Sequence, residues 1–419
     1  MLKVFVNAWK IPDIRKKMLY ILLILAIYRI GCHIPVPGVD LQKYMGALRQ
    51  TPGDFTSLFS IIAGGGYGTI LALGIGPYIT SSIIMQLLTV AIPKLEQIQK
   101  EGEEGRKKIN QYTRVVAVAL AFLQGSGMIY RFRELFTYPN FFVYAIATFA
   151  MVTGTIFVMW LGEVLTEKGI GNGSSFLIFS NIISNLPSAV GSMYQNAVGS
   201  WVNVVKVVAV ILVFIALMAF VVLVQDGERR IPVQYSRKMV GRQMYGGQSS
   251  YIPIKVNIAG VMSIIFAISL LQFPSLVAQF IPNATTGAFS SIIRALDITS
   301  PAGAVLYVIL IFFFTFFYTS FSINPVEMAE NMKKNGGFIP GVRPGKPTSD
   351  YISKIISRLS WIGALVYAII AIMPVVFQWV FSISVGFGGT TLLIVTGVCL
   401  ELVKQLESQM LMRHYKGFL

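Results

Sequence analysis

Long apolar runs separated by short polar breaks dominate the pattern along the chain. Ten such segments stand out, at 18–34, 70–92, 115–130, 141–161, 174–193, 204–224, 258–278, 302–323, 360–380 and 385–403. One helical crossing of a bilayer needs about 20 apolar residues, so these segments predict about ten transmembrane helices. The fifth is interrupted by Asn181, Ser184 and Asn185. The second contains Gly74, Gly76 and Pro77 and is expected to be bent or broken. Breaks at membrane depth are tolerated where the backbone packs on protein or lines a cavity.

Composition supports this reading. Hydrophobic residues make up 55% of the 419 and charged residues 12%, against about 25% charged in an average soluble domain. Half that supply cannot cover a water-exposed surface, so lipid must cover much of it. The first apolar run follows a basic segment, but no small-residue cleavage site comes after it; it reads as a first span. Cys32 and Cys399 lie in apolar segments and make neither a disulfide framework nor a zinc spacing.

The net charge of +16 acquires a meaning from its distribution. With the N-terminus cytoplasmic, 27 of the 34 Lys and Arg fall on the cytoplasmic side. The seven left outside are Arg29, Lys43, Arg49, Arg131, Arg133, Lys206 and Arg294. The positive-inside rule then places both termini in the cytoplasm, with the basic segments 93–114, 225–257 and 324–359. Residues 55–66, FTSLFSIIAGGG, are apolar but too short to span. They fit either a half-helix dipping into the protein or an ordinary surface turn of helix.

Candidate chemistry is sparse. No P-loop, HExxH or GxSxG is present, and histidine is limited to His33 and His414. Coupled pumps place carboxylates or histidines at mid-membrane; here Glu163 and Glu401 sit at cytoplasmic ends. These absences argue against an enzyme, including an intramembrane hydrolase, and against a coupled transporter. They fit a passive pore with no cofactor. What remains inside is polar but uncharged: Gln86, Gln124, Ser269 and Gln272. They are either helix–helix glue or a weakly latched seam that can part.

Several stretches carry a resemblance to a known family. They are RIGCHIPVPGVD (29–40), LGIGPYITSSIIMQLL (73–88), PKLEQIQKEGEEGRKKINQYTR (93–114) and WLGEVLTEKGIGNGSSFLIF (160–179). ERRIPVQYSRKMVGRQMYGGQSSYIPIKVNIAGV (228–261), NPVEMAENMKKNGGFIPGVRPGKPTSDYI (324–352) and FGGTTLLIV (387–395) follow. In this order they resemble the SecY family, channel subunits of the Sec protein-export translocon.

The resemblance implies an all-α polytopic membrane protein of two inverted, pseudo-symmetric five-helix halves, 1–200 and 201–419. It implies a central ring of apolar side chains matching Ile75, Ile79, Ile178, Ile265 and Ile394, with Ser174 departing from the usual isoleucine at a sixth position. Such a neck offers a moving chain no hydrogen bond and disfavours water by dewetting. A plug would match 55–66 with its hinge, through Phe55, Leu58, Phe59, Ile61, Ile62, Gly65 and Gly66. A lateral gate would lie between the second and third spans and the seventh and eighth, with Gln86, Gln124 and Ser269 on facing helices. Arg237, Lys238, Arg242 and Arg343 would dock the SecA motor ATPase or the ribosome, and SecE and SecG would brace the shell. The implied substrate is an unfolded preprotein with a signal sequence, the setting the bacterial plasma membrane and its lipids. The rival reading is a secondary transporter built on inverted repeats, which would need substrate-sized polar groups at mid-membrane.

Overall fold

The computed structural model describes residues 2–40, 68–131, 133–138, 140–197, 201–235, 238–240, 243–245, 249–256, 258–278, six positions in 291–298, 300–381 and 389–416. In chain order the first elements are α1 (Leu2–Lys10), α2 (Pro12–Gly31), α3 (Gly76–Ala91), α4 (Pro93–Lys100), α5 (Glu103–Arg131), α6 (Phe141–Lys168), α7 (Gly173–Ala197) and α8 (Trp201–Asp226). Strands β1 (Glu228–Tyr235), β2 (Lys238–Val240), β3 (Gln243–Tyr245) and β4 (Ser249–Lys255) follow. The chain continues through α9 (Met262–Ala278), α10 (Pro301–Ser322), α11 (Pro325–Lys334), β5 (Gly337–Phe338), α12 (Lys346–Phe381) and α13 (Gly389–Lys416).

Each of the ten apolar segments overlaps a helix, the second only from Gly76 onward. Among the described residues, five are long and apolar enough to cross a membrane by length and hydropathy: α5, α6, α8, α12, and α10 taken with α11. The pair α3 and α4, bent by 102°, adds a sixth if counted as one span. The other four fall short for local reasons: α2 carries Arg15, Lys16 and Lys17 in its first turns, α7 carries its asparagines, α9 counts only as a shorter apolar helix over Met262–Leu271, and α13 runs on into Glu401, Lys404 and Glu407.

Local sequence sets where helices begin. The Ser300 hydroxyl accepts from the Gly303 N–H at 2.9 Å, with Pro301 in the first turn of α10. The Asn324 side-chain carbonyl accepts from Val326 and Glu327 at 3.1 and 3.4 Å, with Pro325 in the first turn of α11. Both place a capping oxygen on otherwise orphaned N–H groups and a proline where its missing donor costs nothing.

The apolar side chains that point outward identify the solvent. The best stretch of α8 has mean hydropathy 3.5, yet 22% of it is buried in the protein. Leu212, Ile215 and Leu223 are 61%, 61% and 72% exposed. Apolar surface this extensive marks a lipid-facing helix.

Inside, three clusters hold the bundle. One joins α1, α2, α6, α7 and α13 through Ala8, Ile21, Tyr28, Leu165, Leu177 and Leu406. A second joins α3, α8, α9, α10, α12 and α13 through Ile83, Val221, Phe266, Tyr307, Tyr367 and Leu393. The third packs residues 72 and 73 against α5 and α6. Arg29 of α2 donates to the Ser184 hydroxyl of α7, so this cation has a polar partner within the bundle. Helix α13 packs on α1, α7, α8 and α12, and α3 meets α9.

The two long basic segments are not bare loops. β1 pairs antiparallel with β4 from Glu228↔Lys255 to Gln234↔Ser249, and with β5 at Gln234↔Phe338 and Tyr235↔Gly337. Ile231, Val233 and Ile254 pack with Met332, Ile339, Ile352 and Ile356. A small sheet thus binds 225–257 to 324–359. Burial at alternate positions along β1, Ile231 and Val233, is the period-2 pattern of a half-buried strand.

Candidate pore and gate

The second apolar segment is broken, as Gly74, Gly76 and Pro77 predict. Helix α3 starts only at Gly76, and Gly74 takes φ +52°, a conformation that costs a side chain about 1–2 kcal/mol. Residues 68–75 before it form a turn-rich run wedged into the protein. The Ile70 N–H donates to the Ile34 carbonyl at 2.9 Å, and Val36 donates to Gly68 at 2.8 Å. Leu71 and Ile75 enter the first cluster, while Ala72 and Leu73 enter the third. Gly154 of α6 lets this run approach: a Cβ there would lie 2.2 Å from the Ile70 carbonyl oxygen.

The break places Ile75 and Ile79 against the cluster that holds Ile178 and Ile394. Ile75, at the N-cap of α3, is 1% exposed and Ile178 of α7 is 7% exposed, both in the first cluster. Ile79 and Ile394 pack against that cluster from α3 and α13. Ile265 of α9 packs against the second cluster, and Ile79 touches both. A Cβ on Gly162 of α6 would stand 3.4 Å from Ser174 Oγ, 3.5 Å from Leu177 and 3.6 Å from Ile75. Ser174, Leu177 and Ile75 therefore converge on a bare patch of α6.

The polar positions form a contrasting set. Gln124 of α5 is 7% exposed, and Gln86 and Ser269 are half-buried. Gln86 Nε2 donates to Ser82 Oγ at 3.5 Å, one turn back on its own helix. The buried Oε1 atoms of Gln86 and Gln124 accept no hydrogen bond among the described residues. An amide left so costs about 1–3 kcal/mol. Arg114, in the N-terminal half of α5, and Glu163, toward the C-terminus of α6, form a 2.7 Å ion pair. On α8 and α13 the analogous tie is Asp226 to Lys404, also 2.7 Å.

Arg343 is exposed in the turn after β5, and its backbone carbonyl accepts from Thr348 Oγ1 at 2.8 Å. Lys238 lies on β2, which pairs with β3. Arg237, Arg242 and the plug segment 55–66 lie outside the described residues. Sequence reasoning missed Gly154 and Gly162, whose role is to be small opposite a neighbour distant in sequence. It also missed the partners of Arg114 and Glu163, though both are charges at membrane-helix ends.

Comparison with known proteins decides the kinship. The SecY family model matches residues 69–403. The chain belongs to the SecY family. A protein translocase subunit SecY of Streptomyces scabiei is 47% identical, with 100% of each chain covered. SecY relatives from Aquifex aeolicus (42% identical, covering 98% of this chain and 97% of that one) and Halalkalibacterium halodurans (41%, 100% of each) are similar over the same span. Among solved structures, a protein-conducting channel superposes with TM-score 0.64 at 19% identity, covering 93% of this chain and 91% of that one. Sec61 from a canine ribosome–channel complex gives 0.62 at 18%, covering 93% and 91%. At these identities the structures establish the SecY fold alone.

Proposed function

We propose that this chain is the pore-forming subunit of a protein-conducting channel, which passes unfolded secretory polypeptides across the bacterial plasma membrane and releases transmembrane segments sideways into lipid. The observation that carries it is kinship over the full length, at 41–47% identity, with protein translocase subunits. Halves 1–200 and 201–419 enclose the path. Ile75, Ile79, Ile178, Ile265 and Ile394 form its neck, and segment 55–66 is the plug. That Ile79 touches both large clusters supports placing the neck where the halves meet.

The gate is the seam between α3 and α5 on one side and α9 and α10 on the other, with Gln86 on α3, Gln124 on α5 and Ser269 on α9. A signal sequence enters because roughly 20 apolar residues prefer hydrocarbon to water. Gln86 and Gln124, imperfectly satisfied when the seam is shut, keep it weak. Ten spans place both termini in the cytoplasm, with the sheet on that side. Arg343, with Arg237, Lys238 and Arg242, docks a partner there by bidentate contact with carboxylate or phosphate. Ribosome-bound channels of the same fold support a ribosome as one partner; SecA is the second, and SecE and SecG brace the shell.

Reconstitution tests this. Proteoliposomes holding the chain with SecE and SecG, given SecA, ATP and a preprotein, are expected to render that preprotein protease-resistant. No protection, with uptake of small solutes down an ion gradient instead, would sink the channel and favour a secondary transporter.

A further inference from the structure

At the end of the bundle opposite the sheet, where α5 ends and α6 begins, lies a cavity of about 990 Å³. This is the upper end of the roughly 300–1,000 Å³ typical of ligand sites. One wall is aromatic. Phe122 and Phe149 face each other at 6.1 Å between ring centroids, and Phe136 meets Tyr144 edge-on at 5.3 Å. The rim is charged: Arg133 and Glu134 are adjacent and exposed, with the Arg133 guanidinium 5.6 Å from the centre of the Tyr130 ring. Phe141 and Phe149, which also line it, are 80% and 61% exposed, so the cavity opens toward the lipid-facing side.

We propose that this cavity binds a zwitterionic phospholipid of the outer leaflet. Its phosphate pairs with Arg133, its ammonium with Glu134, and one acyl chain lies along the Phe122–Phe149 wall. The argument is complementarity of charge and depth together. A guanidinium and a carboxylate side by side match the two charges of a phosphoethanolamine head, and charge-assisted contacts of this kind are the strong ones. Aromatic side chains with polar tips, here Tyr130 and Tyr144, sit at headgroup level in membrane proteins. A ligand apolar along its whole length would leave Arg133 and Glu134 unmatched. The proposal rests on the membrane embedding and outward orientation of this end.

The test uses the complete channel complex in phosphatidylglycerol nanodiscs doped with a phosphatidylethanolamine bearing a photoactivatable diazirine on its acyl chain. Crosslinks are mapped by peptide mass spectrometry. Residues 122–149 are expected to be labelled several-fold above the lipid-facing surface of α8. Ala145→Phe, which fills the cavity, should bring labelling down to the α8 level. Arg133→Gln should cut it by about tenfold, the loss of one charge-assisted contact. Both variants must melt like wild type. A phosphatidylglycerol probe should label 122–149 less than the zwitterionic one, and Glu134→Gln should narrow that difference. Labelling of 122–149 no greater than that of α8, labelling unmoved by Ala145→Phe, or a copurifying protein chain crosslinked across the cavity would each overturn the assignment. Failure at α8 as well would indict the membrane reading itself.

Discussion

Replacing Gly154 with alanine tests how α6 holds the broken second span. The new Cβ would lie 2.2 Å from the Ile70 carbonyl oxygen and 3.0 Å from both its carbonyl carbon and its Cγ2. Close carbon–oxygen contacts in proteins run at about 3.3–3.6 Å, so the two segments must separate by about 1 Å. The obstacle is main chain, and its residue is pinned by the Ile70 N–H to the Ile34 carbonyl at 2.9 Å. It cannot swing aside as the tip of a long side chain would. Overpacking of this kind costs about 1–3 kcal/mol, and a backbone obstacle puts this site at the upper end. Alanine's better helix propensity returns about 1 kcal/mol, leaving a net loss of about 1–2 kcal/mol. Gly191 of α7, where a Cβ would meet nothing within 4 Å, is the control; there the same substitution stabilises by up to about 1 kcal/mol. The assay is thermal unfolding of both variants in mild detergent, with ion leak through reconstituted channel as a second readout. Gly154→Ala should melt below wild type and leak more, because Ile75 lies five residues beyond the displaced carbonyl. Gly191→Ala should melt at or above wild type and stay sealed. A Gly154→Ala protein that melts no lower than wild type would refute the account of how residues 68–75 are held.

The remaining expectations concern the gate, the docking turn and the topology. Replacing Gln86 and Gln124 together with leucine removes two buried oxygens that find no donor; if opening hydrates them, the shut seam gains about 1–3 kcal/mol per site. Export should then demand more hydrophobic signal sequences, and an unmoved hydrophobicity threshold would reduce both glutamines to helix glue. Arg343→Glu should impair SecA-driven export at normal channel abundance, since an exposed side chain contributes within about 0.5 kcal/mol to stability; equal loss of abundance and export would mean a folding role. A single cysteine at Val240, on β2 in the basic segment 225–257, should resist membrane-impermeant thiol reagents in intact cells and react after permeabilisation. Labelling from outside would invert the topology.

Much of this architecture was legible in the chain. Every apolar segment became a helix, because in lipid a backbone must satisfy its own hydrogen bonds, and twenty apolar residues leave few alternatives. The break at Gly74–Pro77 was legible for the same local reason: a proline lacks a donor and a glycine tolerates positive φ. The family resemblance, carried by ordered motifs from the first span to the last, is borne out by the full-length kinship. The sheet joining 225–257 to 324–359 was not read. Its strands are short, and β5 has two residues; such a strand exists only because β1 offers it an edge.

The sequence by itself determined which stretches are apolar and helical, where the second one breaks and which family the chain resembles. These follow from solvent partition and backbone stereochemistry, which act within a segment of one or two dozen residues. Only the tertiary structure decided that Gly154 must stay bare for the Ile70 carbonyl, and that Arg114 pairs with Glu163. It also decided that Ile79 touches both large clusters. These are contacts between residues far apart in the chain. An isoleucine in an apolar helix has the same transfer free energy whether it faces lipid or a neighbouring helix, and only the packing of the helices chooses between the two.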